Sequence, residues 1–337
     1  MSLRRTAGLA LTALLALAPA RAQVTTLKMA TLVPENSSWF RILKEMGDTW
    51  GKVSGGRVKV IFYPGGRQGD DPDVVRKLRL GSLQGAVLAS PGLAEIDRSA
   101  YALSIPMAFA SDEEVYATLE RIRPHLEGAM EKKGFKVLAW ADGGWLRIFA
   151  RRPAASPDDL RRQKLFQWAG DTPTLEIWKA GGFNAIPAPA PELATGLQTG
   201  LLDAFLTSPQ VALVTRYYKQ APHMSDLKWC IIMVGTVVTT KAWDQVPRDV
   251  QPLLLKSAQE TSLRLRKDLQ ESDARDIQAM QGDGLKVEPV DARNRELWHK
   301  VVEGAAGRIR GDFAPAAAYD EAIKARDDFR RQKRGGK

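Results

Sequence analysis

Short apolar runs alternate along this chain with longer stretches whose apolar positions recur three and four residues apart. Leu27-Lys-Met-Ala-Thr-Leu32 reads as a strand, and Val58, Val60 and Phe62 alternate as a half-buried one. Between them, Phe40, Leu43, Gly47 and Trp50 fall on one helical face, which Asn36 or Ser37 can cap and Gly55-Gly56 ends. Asp71-Pro72 supplies an N-cap and a proline at the first helical position for a short helix carrying Val75 and Leu78 and closing at Gly81. Gly85-Ala-Val-Leu-Ala-Ser90 is continuously apolar, the pattern of a buried strand.

Further along, Ser111 and Glu114 make a capping box for a helix with Val115, Leu119, Ile122, Leu126 and Met130 as its inner stripe, and the strand Phe135-Lys-Val-Leu-Ala-Trp140 follows. Residues 248–281 read as one long polar-rich helix with Val250, Leu254, Leu265 and Leu269 as intermittent apolar contacts. This βαβαβ rhythm predicts parallel sheets covered by helices. The length suits two domains of roughly 150 residues each. No flexible linker separates them, which points to a chain that crosses between the domains several times.

The ends change the picture. Arg4 and Arg5 precede an apolar run, Ala7 to Ala18, that closes at Pro19-Ala20-Arg21-Ala22. A basic start, a short apolar stretch and an Ala-x-Ala site describe a secretory signal peptide cleaved after Ala22. The run is too short to span a bilayer, which takes about 20 apolar residues, and no cysteine follows the site to carry a lipid. The expected location is periplasmic. Removing Arg4, Arg5 and Arg21 from a formal charge of +10 leaves +7. Basic residues are interleaved with acidic ones, and export separates the chain from nucleic acid, so the excess reads as solvated helix faces plus the tail 330–337. Cys230 is the only cysteine and cannot pair within the chain; it reads as a buried small hydrophobe.

Longer motifs name a relative. Pro157-Asp-Asp-Leu160 precedes a strand ending near Trp168, and Glu192 and Leu197-Gln-Thr-Gly-Leu-Leu-Asp203 follow. With Tyr63-Pro-Gly-Gly-Arg-Gln-Gly-Asp-Asp71, Leu80-Gly-Ser-Leu-Gln84 and Thr240-Lys-Ala-Trp-Asp-Gln-Val-Pro247, this order resembles the TRAP-transporter solute-binding proteins, the DctP family, over nearly the whole mature chain. The resemblance implies an α/β, two-lobed periplasmic-binding-protein-like fold, with a ligand cleft between the lobes and a long helix linking them. Lobe I is then expected from 23–143 plus 233–273, lobe II from 144–232 plus 274–330, and a basic tail from 331–337. The implied partners are a small organic solute and TRAP membrane permease subunits.

The departures are informative. The family's strand arginine, which pairs with a substrate carboxylate, falls on Phe166; a guanidinium offers a fixed fork of donors and a phenyl ring none. A second arginine of some members falls on Leu146, one residue from Arg147. Thr207 stands at the family's cleft asparagine, Gln84 at an aspartate and Ala204 at a glycine. Phe166 and Trp168 share a strand face, as do Trp145 and Arg147, and Trp39 and Ser38 lie on a segment that faces the cleft in the family. These residues, with Asp71, Asp171 and Thr207 as orienting groups, suit a solute with apolar or planar surface, neutral or weakly acidic. Arg147 from a shifted register is the alternative route to an acid.

Catalysis finds little footing. His125, His223 and His299 are far apart and none has metal-ligand spacing. Asp70, Asp71 and Asp73 could coordinate calcium, but acids at a helix start also complement its dipole, and that is the preferred reading. No cofactor is expected. A periplasmic enzyme using Cys230 or these acids, and a sensory binding protein without a transport role, are the rival functions. N-terminal sequencing of the exported protein is expected to begin at Gln23; residues 1–22 found intact on periplasmic protein contradict the signal-peptide reading.

Overall fold

The computed structural model describes residues 24–335, so the expected signal peptide and the end of the basic tail lie outside the described residues. Among the described residues ten strands form: β1 Thr25–Thr31, β2 Val58–Tyr63, β3 Gly85–Ala89, β4 Phe135–Ala150, β5 Leu165–Trp168, β6 Ala185–Ala188, β7 Ala204–Thr207, β8 His223–Ser225, β9 Cys230–Thr239 and β10 Lys286–Glu288. Their lateral order is β2-β1-β3-β9-β4-β7-β5-β6, with β8 against β4 and β10 against β8. The chain is a two-lobed α/β protein, each lobe sheeted at one end of the β4–β9 pair.

Parallel pairing is confined to the flanks: β1 with β2 and β3, β5 with β6 and β7, and β8 with β10. The sheet is therefore mixed, which corrects the expectation of parallel sheets. The reason lies in the chain path. β4 carries the chain out of one lobe and β9 returns it, so the two run in opposite directions from Phe135↔Thr239 to Leu146↔Cys230. Their register shifts between Asp142 and Trp145, opposite Met233 and Ile231. Gly144 sits in that bulge at φ +91°, and a Cβ there would come within 3.0 Å of Ser208 Cβ.

The helix Ser38–Val53 is capped by Ser37, whose Oγ accepts from Phe40 N–H at 3.1 Å. It buries Trp39, Ile42, Leu43, Met46 and Trp50. Phe40 and Gly47, expected on that same face, turn to β2 instead: the Phe40 and Phe62 rings meet edge-on at 6.1 Å. The helix packs on both the sheet and another helix, so its apolar arc is wider than one stripe. That other helix is Gln251–Gly282, 32 residues and about 48 Å long at 1.5 Å per residue. Leu254, Ala258, Leu265 and Leu269 join it to the core of the first lobe, and Met280 and Ile277 to that of the second.

The second lobe has an aromatic core. Trp178 stacks on Trp229 and meets Phe183 edge-on, each with centroids 4.9 Å apart. Phe183 stacks on Trp298 at 5.9 Å, and Trp298, wholly buried, donates Nε1–H to Ala155 O at 2.9 Å. Trp298→Ala removes the ring and its hydrogen bond and is expected to cost about 3–5 kcal/mol, read from urea unfolding.

Candidate functional site

Between the lobes lies a cleft of about 330 Å³, with a smaller inner chamber of about 80 Å³ beside it. Phe166, Trp168, Leu146, Leu206 and Ile232 line both spaces. Their placement follows from strand parity. Phe166 lies in β5 opposite Ile186, Leu146 in β4 opposite Cys230, and Leu206 in β7 opposite Ile148. Phe166 is 7 % exposed and so stands as a wall between the two spaces rather than as free surface.

Parity also decides the fate of the neighbours. With Leu146 turned to the cleft, Trp145 and Arg147 turn to the opposite face, because successive strand side chains alternate. Arg147 donates to Asp226 O at 2.8 Å and to Asp273 Oδ2 at 3.3 Å, on the long helix. Trp145 donates Nε1–H to Asp112 Oδ1 at 2.6 Å, and Lys228 Nζ lies 5.1 Å from its ring centroid. The expectation that these two residues face the solute is corrected: neither lines the cleft. Arg147 is held in place by an aspartate and a carbonyl.

The remaining expected residues divide. Trp39 and Thr207 line the cleft, and Asp171 lines the inner chamber. Ser38 does not reach the cleft; its Oγ donates to Asp268 Oδ2 at 2.6 Å, and Ser37 takes the lining position. Asp71 lies beneath the wall, where its Oδ2 accepts from Ala89 N–H at 3.2 Å and a Cβ on Gly92 would come within 2.6 Å of it. Burial first, and then the charge of Asp70, push its carboxyl up to about 8. Asp70 accepts from Asp71 N–H at 2.9 Å, while Asp73 pairs with Arg76 at 2.7 Å. The three acids thus serve separate partners at a helix start.

The electrostatics of the two spaces are simple. None of the side chains described as lining the cleft carries a charge. Asp171 is the one charged group described on the inner wall, and it caps the helix Thr172–Ala180 through Thr174 N–H while accepting from Gln167 Nε2 at 3.0 Å and from the Tyr101 hydroxyl. Burial, and then Asp171, push the Cys230 thiol up to about 12, which leaves it protonated and a poor nucleophile. Several contacts cross between the lobes, including three that involve residues of the cleft or chamber walls. Ala190 N–H donates to Asp70 Oδ2 at 3.0 Å, Gln210 Nε2 donates to Asp268 Oδ2 at 3.0 Å, and Tyr101 bonds to Asp171.

Several lining residues escape sequence reasoning. Leu206, Ile232, Val211, Val214 and Tyr217 are apolar and read as ordinary core positions. Trp178 and Trp229 give no signal either. Leu146 differs from them only in that the motif resemblance puts a family arginine there.

A two-lobed fold with a solute-sized cleft between lobes that share crossing strands is that of a periplasmic-type solute receptor. Residues 29–308 match the DctP family, bacterial extracellular solute-binding protein family 7, and the chain belongs to that family. Proteins of the family are periplasmic transport receptors and not enzymes. No helix among the described residues is long and apolar enough to cross a membrane. The 2,3-diketo-L-gulonate-binding periplasmic protein YiaO of Escherichia coli is 25% identical over 246 residues, 72% of this chain and 75% of that protein. The C4-dicarboxylate-binding periplasmic protein DctP of Rhodobacter capsulatus is 24% identical over 290 residues, 84% and 86% of the two chains. The crystal structure of the sugar acid binding protein DctPAm from Advenella mimigardefordensis, in complex with galactonate, superposes with a TM-score of 0.85 at 18% identity over 91% of this chain and 99% of that one, a likeness of fold.

Asp71 generates a pH prediction. Its folded-state value of about 8 lies above the ordinary 3.8, so the folded protein keeps a proton that the unfolded chain releases. Its contribution to stability is fully present below about pH 4, falls as pH rises towards 8 and is level beyond. Asp71→Asn, which mimics the protonated acid, is expected to flatten the fall of Tm between pH 4 and 8; an unchanged slope contradicts the assignment.

Proposed function

We propose that this receptor captures an organic solute with apolar or planar surface, uncharged or weakly acidic, and delivers it to the membrane subunits of a TRAP transporter. The observation that carries this reading is the uncharged lining of the cleft; the motif resemblance, which puts family arginines at Phe166 and Leu146, supports it. Relatives are named for 2,3-diketo-L-gulonate and C4-dicarboxylates, and one structure holds galactonate. An acid of that kind would bury its carboxylate here without a cation, at a cost of several kcal/mol. Arg147 does not relieve that cost, because Asp273 and the Asp226 carbonyl occupy it on the other face.

Binding works through closure. A solute touching Trp39 on one lobe and Phe166, Trp168 and Thr207 on the other favours the closed form by its differential affinity for it. The division of lobes at 143/144 and 232/233 is part of this proposal, and the shift in β4–β9 register beside Gly144 supports it as the hinge. So is export as a soluble mature chain from residue 23.

A thermal-shift screen tests the solute class. A ligand at a hundredfold over its Kd adds about 2.7 kcal/mol of stability, an easily read shift. Succinate, malate and galactonate are expected to leave Tm unchanged. A neutral or aromatic solute is expected to raise it, and Phe166→Ala or Trp168→Ala to abolish that rise with the fold intact. A large shift with succinate, kept in Arg147→Ala, refutes the proposal.

A further inference from the structure

We propose that the inner chamber is an apolar subsite for the same solute, so that the solute has two ends: an uncharged hydrogen-bonding group in the cleft and an alkyl chain or phenyl ring in the chamber. This rests on the reading of the cleft as a site for uncharged solutes. Trp178, Trp229, Ile177, Tyr101, Phe313 and Cys230 build the part of the chamber that the cleft does not share. Its volume of about 80 Å³ holds several water-sized spheres, since one takes about 10–15 Å³ on that measure. Phe166, Leu146, Leu206, Trp168 and Ile232 form a partition with side chains on both sides.

What separates the two spaces is the state of their polar atoms. In the chamber wall, hydroxyl and carboxylate groups pair with one another. Ser90 and Ser104 share a hydrogen bond of 2.8 Å, Ser90 also donates to Met233 O, and Gln167, Tyr101 and Thr174 converge on Asp171. What they leave is chiefly ring faces and methyl groups. In the cleft wall, two deeply buried polar atoms have no partner: the indole Nε1–H of Trp39 and the hydroxyl of Ser208. An unpaired buried donor is costly, and a carbonyl or ether oxygen arriving in the cleft relieves that cost. The chamber rewards the opposite kind of group, because an apolar space of this size is filled by hydrocarbon and not by a polar head. The polar end therefore belongs beside Trp39 and Ser208, and the apolar end beyond Phe166.

Two probes of the full mature chain test this. In methyl-resolved NMR, benzene is expected to shift Ile177 and Ile231, which face the chamber, more than Val211 and Val214, which face only the cleft. In titrations with linear primary amides from butanamide to octanamide, affinity is expected to rise about fourfold per methylene, the change that about 0.8 kcal/mol per buried CH₂ gives. Filling the chamber, by Ile177→Phe or independently by Cys230→Met, is expected to cut that gain below twofold in whichever variant keeps a cooperative unfolding transition. Benzene shifts absent from Ile177 and Ile231 overturn the subsite whatever the cleft binds. An undiminished gain in both filled variants overturns the link between chamber and solute. Benzene in the chamber with tight succinate binding and no amide binding overturns the reading of the cleft, and the two-ended solute with it.

Discussion

The antiparallel pairing of β4 with β9 sets the walls of the cleft and their chemistry. Gly143 and Leu146 from β4 meet Ile231, Ile232 and Val234 from β9 along the walls of the cleft and the inner chamber. A strand presents alternate side chains to each face, so a slip of one residue would exchange Leu146 for Arg147 and put a guanidinium in the cleft. The bulge between Asp142 and Trp145 sets that choice, and Gly144 takes the positive φ of +91° that the bulge requires.

The same parity sorts charge from apolar surface. Behind the strand, Arg147 pairs with Asp273, while Trp145 bonds to Asp112 and lies under Lys228. In front of it, the lining is hydrocarbon, aromatic rings and a few hydroxyls. Buried acids remain near the cleft, yet each of them supports the scaffold. Asp70 receives Ala190 N–H from the facing lobe, Asp71 supports Ala89, and Asp171 caps a helix and receives Tyr101. A receptor that opens and closes needs such contacts to be few and reversible, so that the solute supplies the balance of the closing free energy.

Much of this is legible in the residues. The cap at Ser37, the buried strand at 85–89, the cap at Ser111 and the long helix appear nearly where periodicity places them, although Glu114 accepts from Ala110 N–H and so leaves the reciprocal half of the expected capping box unmade. The family motifs lead to the two-lobed architecture, and Phe166 stands out through its place in a motif. Trp145 and Arg147 mislead because motif spacing locates a residue to within one position, and one position is the difference between the two faces of a strand. The bulge that decides it leaves no mark beyond Gly143-Gly144. The mixed sheet escapes because helix–strand alternation reports which elements are neighbours in sequence, not which strand returns the chain. Most of the cleft is invisible for another reason: an apolar lining has the same sequence signature as a core.

Whether an uncharged, partly apolar solute occupies the cleft is decided by native mass spectrometry of protein freshly purified from its own periplasm, followed by release and fragmentation of the bound species. The expected result is a neutral or weakly acidic molecule with an alkyl or aromatic segment, lost from Phe166→Ala. A dicarboxylate or sugar acid bound one to one would contradict it.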